Sequence, residues 1–138
     1  MLDEIILIDD DKIVTTINKK IVQKLLPNAS IKTFENGEAG LIYLITAQDS
    51  NLKTLVFLDI DMPIMDGFQF LNIYENAMAH QDHSFVICLL TSSIAEEDQK
   101  KAAKFLSVLE YAQKPLDEAT IQGLIERAVT KLRQQKPH

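Results

Sequence analysis

Apolar residues in this chain follow two rhythms. Three unbroken runs have the length of buried strands: EIILI at 4–8, TLVFLD at 54–59 and SFVICLLTS at 84–92. Between and after them, apolar residues recur at helical spacing. In KIVTTINKKIVQKLL, 12–26, Ile13, Ile17, Ile21 and Leu25 share a predicted helix face, with lysines between them. NGEAGLIYLITA, 36–47, predicts a second helix with Asn36 as its N-cap. DGFQFLNIYENA, 66–77, predicts a third, opened by Asp66 and Gln69 in a capping box. IAEEDQKKAAKF, 94–105, predicts a fourth, with Ser93 and Glu96 forming a second box. The stretch 117–134 predicts a fifth, with Ile121, Leu124, Ile125, Ala128, Val129 and Leu132 on one face. SIKTF at 30–34 and SVLEYAQ at 107–113 read as more polar strands.

Strands alternating with helices give an α/β protein of (βα)5 type. Helical crossovers imply parallel strands and right-handed connections. The first, third and fourth strands are almost wholly apolar, which requires helices on both sheet faces. Lys32, Thr33, Glu110 and Gln113 suit the second and fifth strands to the edges. The expected sheet order is therefore 2-1-3-4-5, the order of a flavodoxin-like three-layer sandwich, which binds ligands beyond the carboxyl ends of its strands.

Composition narrows this further. A chain of 138 residues with 46% hydrophobic and 25% charged residues fits one soluble globular domain spanning 1–138. The net charge of -6 argues against nucleic-acid binding, which needs a basic face. Cys88 lies in an apolar run and reads as a small buried hydrophobe. A lone cysteine permits no internal disulfide and suits a reducing cytoplasm. The amino terminus has acidic flanks and no signal-peptide pattern. No run approaches the ~20 apolar residues of a membrane span, so no membrane partner is expected.

The expected topology changes the meaning of the acidic residues. Asp9, Asp10 and Asp11 follow the first strand, and Asp59 ends the third. Neighbouring strands lie about 4.8 Å apart, so Asp9, Asp10 and Asp59 should converge. Like charges ~4 Å apart repel by about 4 kcal/mol at an effective dielectric near 20. Such a cluster is relieved by protonation or by a hard cation; Mg²⁺ fits an all-oxygen donor set, and Mn²⁺ is an alternative. Thr91 and Ser92 end the fourth strand, and Lys114 follows the fifth. An ionised aspartate is a nucleophile able to accept a phosphoryl group. A lysine, a hydroxyl and a metal could stabilise the equatorial oxygens of that group.

The stretches ILIDDD, LVFLDIDMPIMDG, LLTSS and EYAQKPL together resemble the receiver domain of bacterial two-component response regulators. They match in order and spacing along essentially the whole chain. The resemblance implies that Asp59 is the phosphoacceptor, that Asp9, Asp10 and Asp59 serve the metal, and that the Asp61 backbone carbonyl completes the ligands. It implies that Thr91 and Tyr111 form a switch pair and that Lys114 contacts the phosphoryl group. Pro63 and Gly67 would shape the loop after Asp59, and Pro115 would follow a cis peptide. The implied partners are a sensor histidine kinase or histidine phosphotransfer protein and an unidentified target protein. The chain is expected to be a stand-alone receiver without an output domain, like chemotaxis or phosphorelay members, and no enzyme beyond its own phosphorylation and dephosphorylation. Asp61 and Ser93 occupy positions that vary in the family, and SVLE replaces a segment that frequently carries glycine.

Other roles fit individual residues. Asp66 and Asp11 suit helix caps. His80 and His83 lack further zinc ligands and read as loop residues. Asp59-x-Asp61 also resembles the motif of haloacid-dehalogenase-type phosphatases, but there it follows the first strand. DIDMPIMDG departs from a calcium loop because Pro63 replaces an oxygen ligand and the sixth position is not glycine. A pseudo-receiver, acting only as an interaction module, is a further alternative.

Overall fold

The computed structural model describes residues 1–47, 51–78, 85–93 and 95–134. Its elements alternate: β1 (Glu4–Ile8), α1 (Lys12–Leu25), β2 (Ser30–Phe34), α2 (Gly37–Thr46), β3 (Thr54–Asp59), α3 (Gly67–Ala77), β4 (Phe85–Thr91), α4 (Glu96–Ala102), β5 (Val108–Gln113) and α5 (Glu118–Arg133). The five strands form one sheet in the order β2-β1-β3-β4-β5, and every pairing is parallel. This is the flavodoxin-like arrangement expected from the strand patterns.

Side-chain alternation along the strands divides the interior into two layers. Ile6, Ile8, Val56, Leu58, Ile87 and Leu89 face α2, α3 and α4. Ile5, Leu7, Leu55, Phe57, Val86, Cys88 and Leu90 face α1 and α5. β1, β3 and β4 are buried along their whole length, and β2 and β5 are partly exposed. α5 buries Ile121, Leu124, Ile125, Ala128 and Leu132, and Val129 packs beside them. Asn36 caps α2, and Asp66 and Gln69 form both bonds of the capping box on α3.

Two expectations are corrected. Ile13 and Ile17 are 73% and 52% exposed, so they do not form the inward stripe of α1. That helix instead buries Asn18 and Val22, flanked by half-buried Val14 and Leu25. The inward line is thus rotated by one position, because β-branched residues occupy both candidate faces and spacing alone does not separate them. The second correction concerns α4, which is much shorter than 94–105. Its N-cap is Ala95, with no side-chain capping bond, so no Ser93–Glu96 box forms. Ser93 instead belongs to the turn after β4, where its backbone engages Thr91. At the other end, Lys104 N donates to Lys101 O and Phe105 N to Ala102 O, a tighter turn that ends the helix. His80 and His83 lie outside the described residues.

Candidate functional site

Parallel pairing sets the carboxylates side by side. Ile8 of β1 pairs with Leu58 of β3, so the next residues, Asp9 and Asp59, leave the sheet together. Carboxylate oxygens of Asp9, Asp10 and Asp59 lie within 4.8 Å of one another. Asp59 is 1% exposed and Asp9 5% exposed, and Asp10 is open to solvent. Asp9 Oδ1 accepts from Asp11 N at 2.9 Å, and Asp59 Oδ1 accepts from Asp61 N at 3.1 Å. These backbone donors fix both carboxylates without cancelling their charge. Asp11 turns away and caps α1 through Ile13 N and Val14 N.

Lys114 brings a cation to the cluster. Its Nζ lies 3.0 Å from Asp9 Oδ2 and 3.2 Å from Asp59 Oδ1. Burial pushes the Asp59 carboxyl up to about 6, and the Asp9 charge adds to this; the Asp61 N–H and the Lys114 ammonium pull the other way. Burial would lower the Lys114 ammonium, but its bond to Asp9 and the charges of Asp59 and Asp9 hold it above its usual value. One lysine therefore offsets only part of the charge of three carboxylates. The oxygen donors, two of them held by backbone N–H groups and one facing solvent, fit a hard divalent cation.

Thr91 ends β4 and is buried. Its hydroxyl donates to Ser93 O at 2.8 Å and accepts from Ser93 N at 3.2 Å. Tyr111 lies on β5, opposite Leu89, and its Oη is buried without a hydrogen-bond partner. Burial raises this phenol, and the nearby Thr91 hydroxyl opposes part of that effect. The Thr91 hydrogen itself is directed to Ser93, so the two hydroxyl groups are neighbours without being bonded. This use of the Ser93 backbone was not visible in the sequence, since any residue at 93 offers the same N–H and carbonyl.

The loop from Asp59 to Gly67 is shaped by close backbone approach. Gly67 N donates to Ile60 O at 2.9 Å. A Cβ on Gly67 would lie 2.9 Å from Ile60 Cα and 3.1 Å from Asp59 O, so only glycine fits. Pro63 accepts from Met65 N at 2.7 Å within the same loop. Between them Ile64 has φ 69° and is 99% exposed, a conformation that β-branched residues rarely adopt. The Asp61 carboxylate is turned to the outside, where Ser92 Oγ donates to Oδ2 at 3.4 Å. The Asp59-x-Asp61 pair follows β3, whereas the phosphatase motif follows a first strand, so the phosphatase reading is not favoured. The Lys114–Pro115 peptide is cis. None of the described helices is long and apolar enough to cross a membrane.

Residues 5–126 match the family model of the response regulator receiver domain. The chain is similar to a two-component response regulator from Cytophaga hutchinsonii, with 27% identity and a TM-score of 0.79, covering 94% of this chain and 98% of that one. A CheY-like receiver domain protein from Methanospirillum hungatei JF-1 shares the fold at 16% identity, with a TM-score of 0.79 and coverage of 99% and 100%. Stress response regulator protein 1 of Clavispora lusitaniae (strain ATCC 42720) is 37% identical over 62 residues, or 45% of this chain. The matched stretch is 31% of that protein's length. The family match spans both acidic clusters, Thr91, Tyr111 and Lys114, and the chain belongs to the response regulator receiver domains of two-component signalling.

Proposed function

We propose that this protein is a phosphoacceptor switch in which Asp59 takes a phosphoryl group from a phosphohistidine. The donor would be a sensor histidine kinase or a histidine phosphotransfer protein. The observation that carries this is the convergence of Asp9, Asp10 and Asp59 within 4.8 Å, with Lys114 bonded to two of them. Asp59 ends β3, is the most deeply buried of the three at 1% exposed, and has one oxygen fixed by the Asp61 N–H.

In the transfer, a carboxylate oxygen of Asp59 forms a P–O bond and the P–N bond of the donor breaks. The leaving imidazole keeps the electron pair. Asp59 must be ionised to attack, and Lys114 and the Asp61 N–H favour that form. A divalent cation such as Mg²⁺, or Mn²⁺ in its place, would supply charge neutralisation for the phosphoryl oxygens. Asp9, Asp10 and Asp59, with the Asp61 backbone carbonyl, are the residues proposed to hold it. Lys114 would transfer part of its bonding from the carboxylates to the phosphoryl oxygens. Thr91 would turn its hydroxyl from Ser93 O toward the same oxygens, and Tyr111 would respond beside it. Pro63, Gly67 and Pro115 are proposed to hold the loops in place. A protein target would then read the altered face of α4, β5 and α5. A cytoplasmic setting agrees with the single buried thiol, Cys88.

Incubation with acetyl phosphate tests this reading. Uptake of one base-labile phosphoryl group that requires Mg²⁺ is the expected result. Absence of uptake at saturating Mg²⁺ would favour the pseudo-receiver alternative.

A further inference from the structure

Glu75 of α3 holds the turn that leads into β5. Its Oε2 accepts from Ser107 N at 2.7 Å and from Ser107 Oγ at 2.5 Å. The carbonyl of Ser107 accepts from Ile87 N at 3.0 Å. The backbone N–H, hydroxyl and carbonyl of Ser107 are thus all engaged, by α3 on one side and β4 on the other. Val108, the next residue, begins the pairing of β5 with Ile87. Glu75 and Ser107 are both half-buried. Bonds to a carboxylate are charge-assisted and stronger than neutral ones.

The helix upstream of this turn is held lightly. α4 has no side-chain cap and buries only Ala102. Lys101 rests its ammonium 4.7 Å from the centre of the Phe68 ring. At its upstream end the segment is tied by neutral bonds of the Thr91 hydroxyl and the Ser93 backbone and of Lys114 N to Thr91 O, and by two long bonds at Ser92, from its Oγ to Asp61 Oδ2 and to its carbonyl from Gln113 Nε2, both 3.4 Å. Just past Ser107 the register of β4 and β5 shifts between Ile87 and Cys88, so Leu109 is passed over in the pairing. The segment from Thr91 to Ser107 is therefore held at the candidate phosphoryl site by neutral bonds and by a long 3.4 Å bond to a carboxylate, and at the start of β5 by two short charge-assisted bonds of 2.7 and 2.5 Å. Downstream of the strong tether lies an irregular stretch of strand.

We propose that Glu75 is a positioning residue that makes Ser107 the pivot of this segment. When the Asp59 site is loaded, α4 moves from its Thr91 end and the start of β5 stays in place. This directional element rests on the phosphoacceptor role of Asp59; the tether itself does not. Glu75 touches neither the phosphoryl site nor its ligands, and acts only on how far the displacement spreads. Without it, displacement passes through Ser107 into the irregular pairing around Leu109. The change delivered to Tyr111 is then diluted.

Two measurements on the full chain test this. The first is amide hydrogen exchange without any phosphoryl ligand. Glu75→Ala should speed exchange at Ser107 and Val108 by about tenfold, with β1 and β3 amides unchanged. Ser107→Ala keeps the N–H bond and should speed exchange at residue 107 by only about threefold; it serves if the Glu75 variant folds poorly. The second is the pattern of amide chemical-shift change on adding Mg²⁺ and beryllofluoride. In the parent, changes should concentrate at Ser92, Ser93, residues 96–100 and around Tyr111, with Ser107 nearly still. In Glu75→Ala, Ser107, Leu109 and Glu110 should move as much as Ser93. Unchanged Ser107 exchange in Glu75→Ala overturns the tether. A parent Ser107 shift as large as that of Ser93 overturns the pivot. If beryllofluoride moves no amide in the parent, the phosphoacceptor role and the pivot fail together, and hydrogen exchange by itself then decides whether the tether exists.

Discussion

Lys114 Nζ lies 3.2 Å from Asp59 Oδ1, although the two residues leave the sheet from β5 and β3 with β4 between them. The lysine reaches across the end of β4 to Asp59 and also bonds Asp9, which leaves β1 on the far side of β3. Even so, Asp59 is raised to about 6 by burial and by Asp9.

That shift fixes a pH dependence. A carboxyl whose folded value lies above its unfolded value of about 3.8 holds its proton more tightly when folded. Its ionisation therefore opposes folding, and metal-free stability should fall as pH rises from about 4 to about 6. The full effect is on the order of 3 kcal/mol. Urea unfolding in EDTA should show this fall, and Asp59→Asn should flatten it. A parent profile as flat as that of the variant would show that the site is not strained by its charge.

Asp10 is the exposed member of the cluster. Asp10→Ala should weaken Mg²⁺ binding by about tenfold or more, equivalent to at least ~1.4 kcal/mol. It should leave metal-free stability within about 0.5 kcal/mol of the parent or above it, since a like charge is removed. Isothermal titration with Mg²⁺ and thermal unfolding in EDTA measure the two effects. An unchanged Mg²⁺ affinity would remove Asp10 from the site.

Gly67→Ala places a methyl group 2.9 Å from Ile60 Cα and 3.1 Å from Asp59 O, and both of these are backbone atoms. The loop must move, at a cost of about 1–3 kcal/mol by analogy with overpacked interiors. Chemical denaturation should show that loss. Because the displaced backbone includes the acceptor residue, the rate of phosphorylation by acetyl phosphate should fall as well. A stable variant with unchanged rate would mean that the loop has more freedom than its contacts suggest.

Thr91→Ala removes the hydroxyl that joins β4 to the Ser93 backbone. The variant should still accept a phosphoryl group at Asp59. It should lose most of the phosphorylation-dependent amide shift around Tyr111, because a ligand moves an equilibrium only through its different contacts in the two states. Equal shifts in parent and variant would route the coupling through another residue.

Much of the fold was legible because its signals are local. Unbroken apolar runs marked β1, β3 and β4, and capping residues marked the starts of α2 and α3. Asp9, Asp10 and Asp59 were legible as a cluster because parallel pairing gives strand ends a known spacing. What remained hidden depends on three-dimensional context. Ile13 and Ile17 fit a helical stripe, yet the sheet meets α1 one position over, along Asn18 and Val22. Ser93 fits a helix cap, yet its backbone is held by Thr91, and α4 begins later. The tie between Glu75 and Ser107 joins residues 32 positions apart through a backbone N–H, which no spacing rule exposes.

The phosphoacceptor role depends first on where the phosphoryl group goes. After incubation with acetyl phosphate and Mg²⁺, borohydride reduction converts an aspartyl phosphate to homoserine, and peptide mass spectrometry locates it. The expected result is homoserine at position 59 in the parent and no labelled peptide in Asp59→Asn. Homoserine at another aspartate in the parent, or equal phosphoryl uptake by the Asn variant, would contradict the assignment of Asp59 as the acceptor.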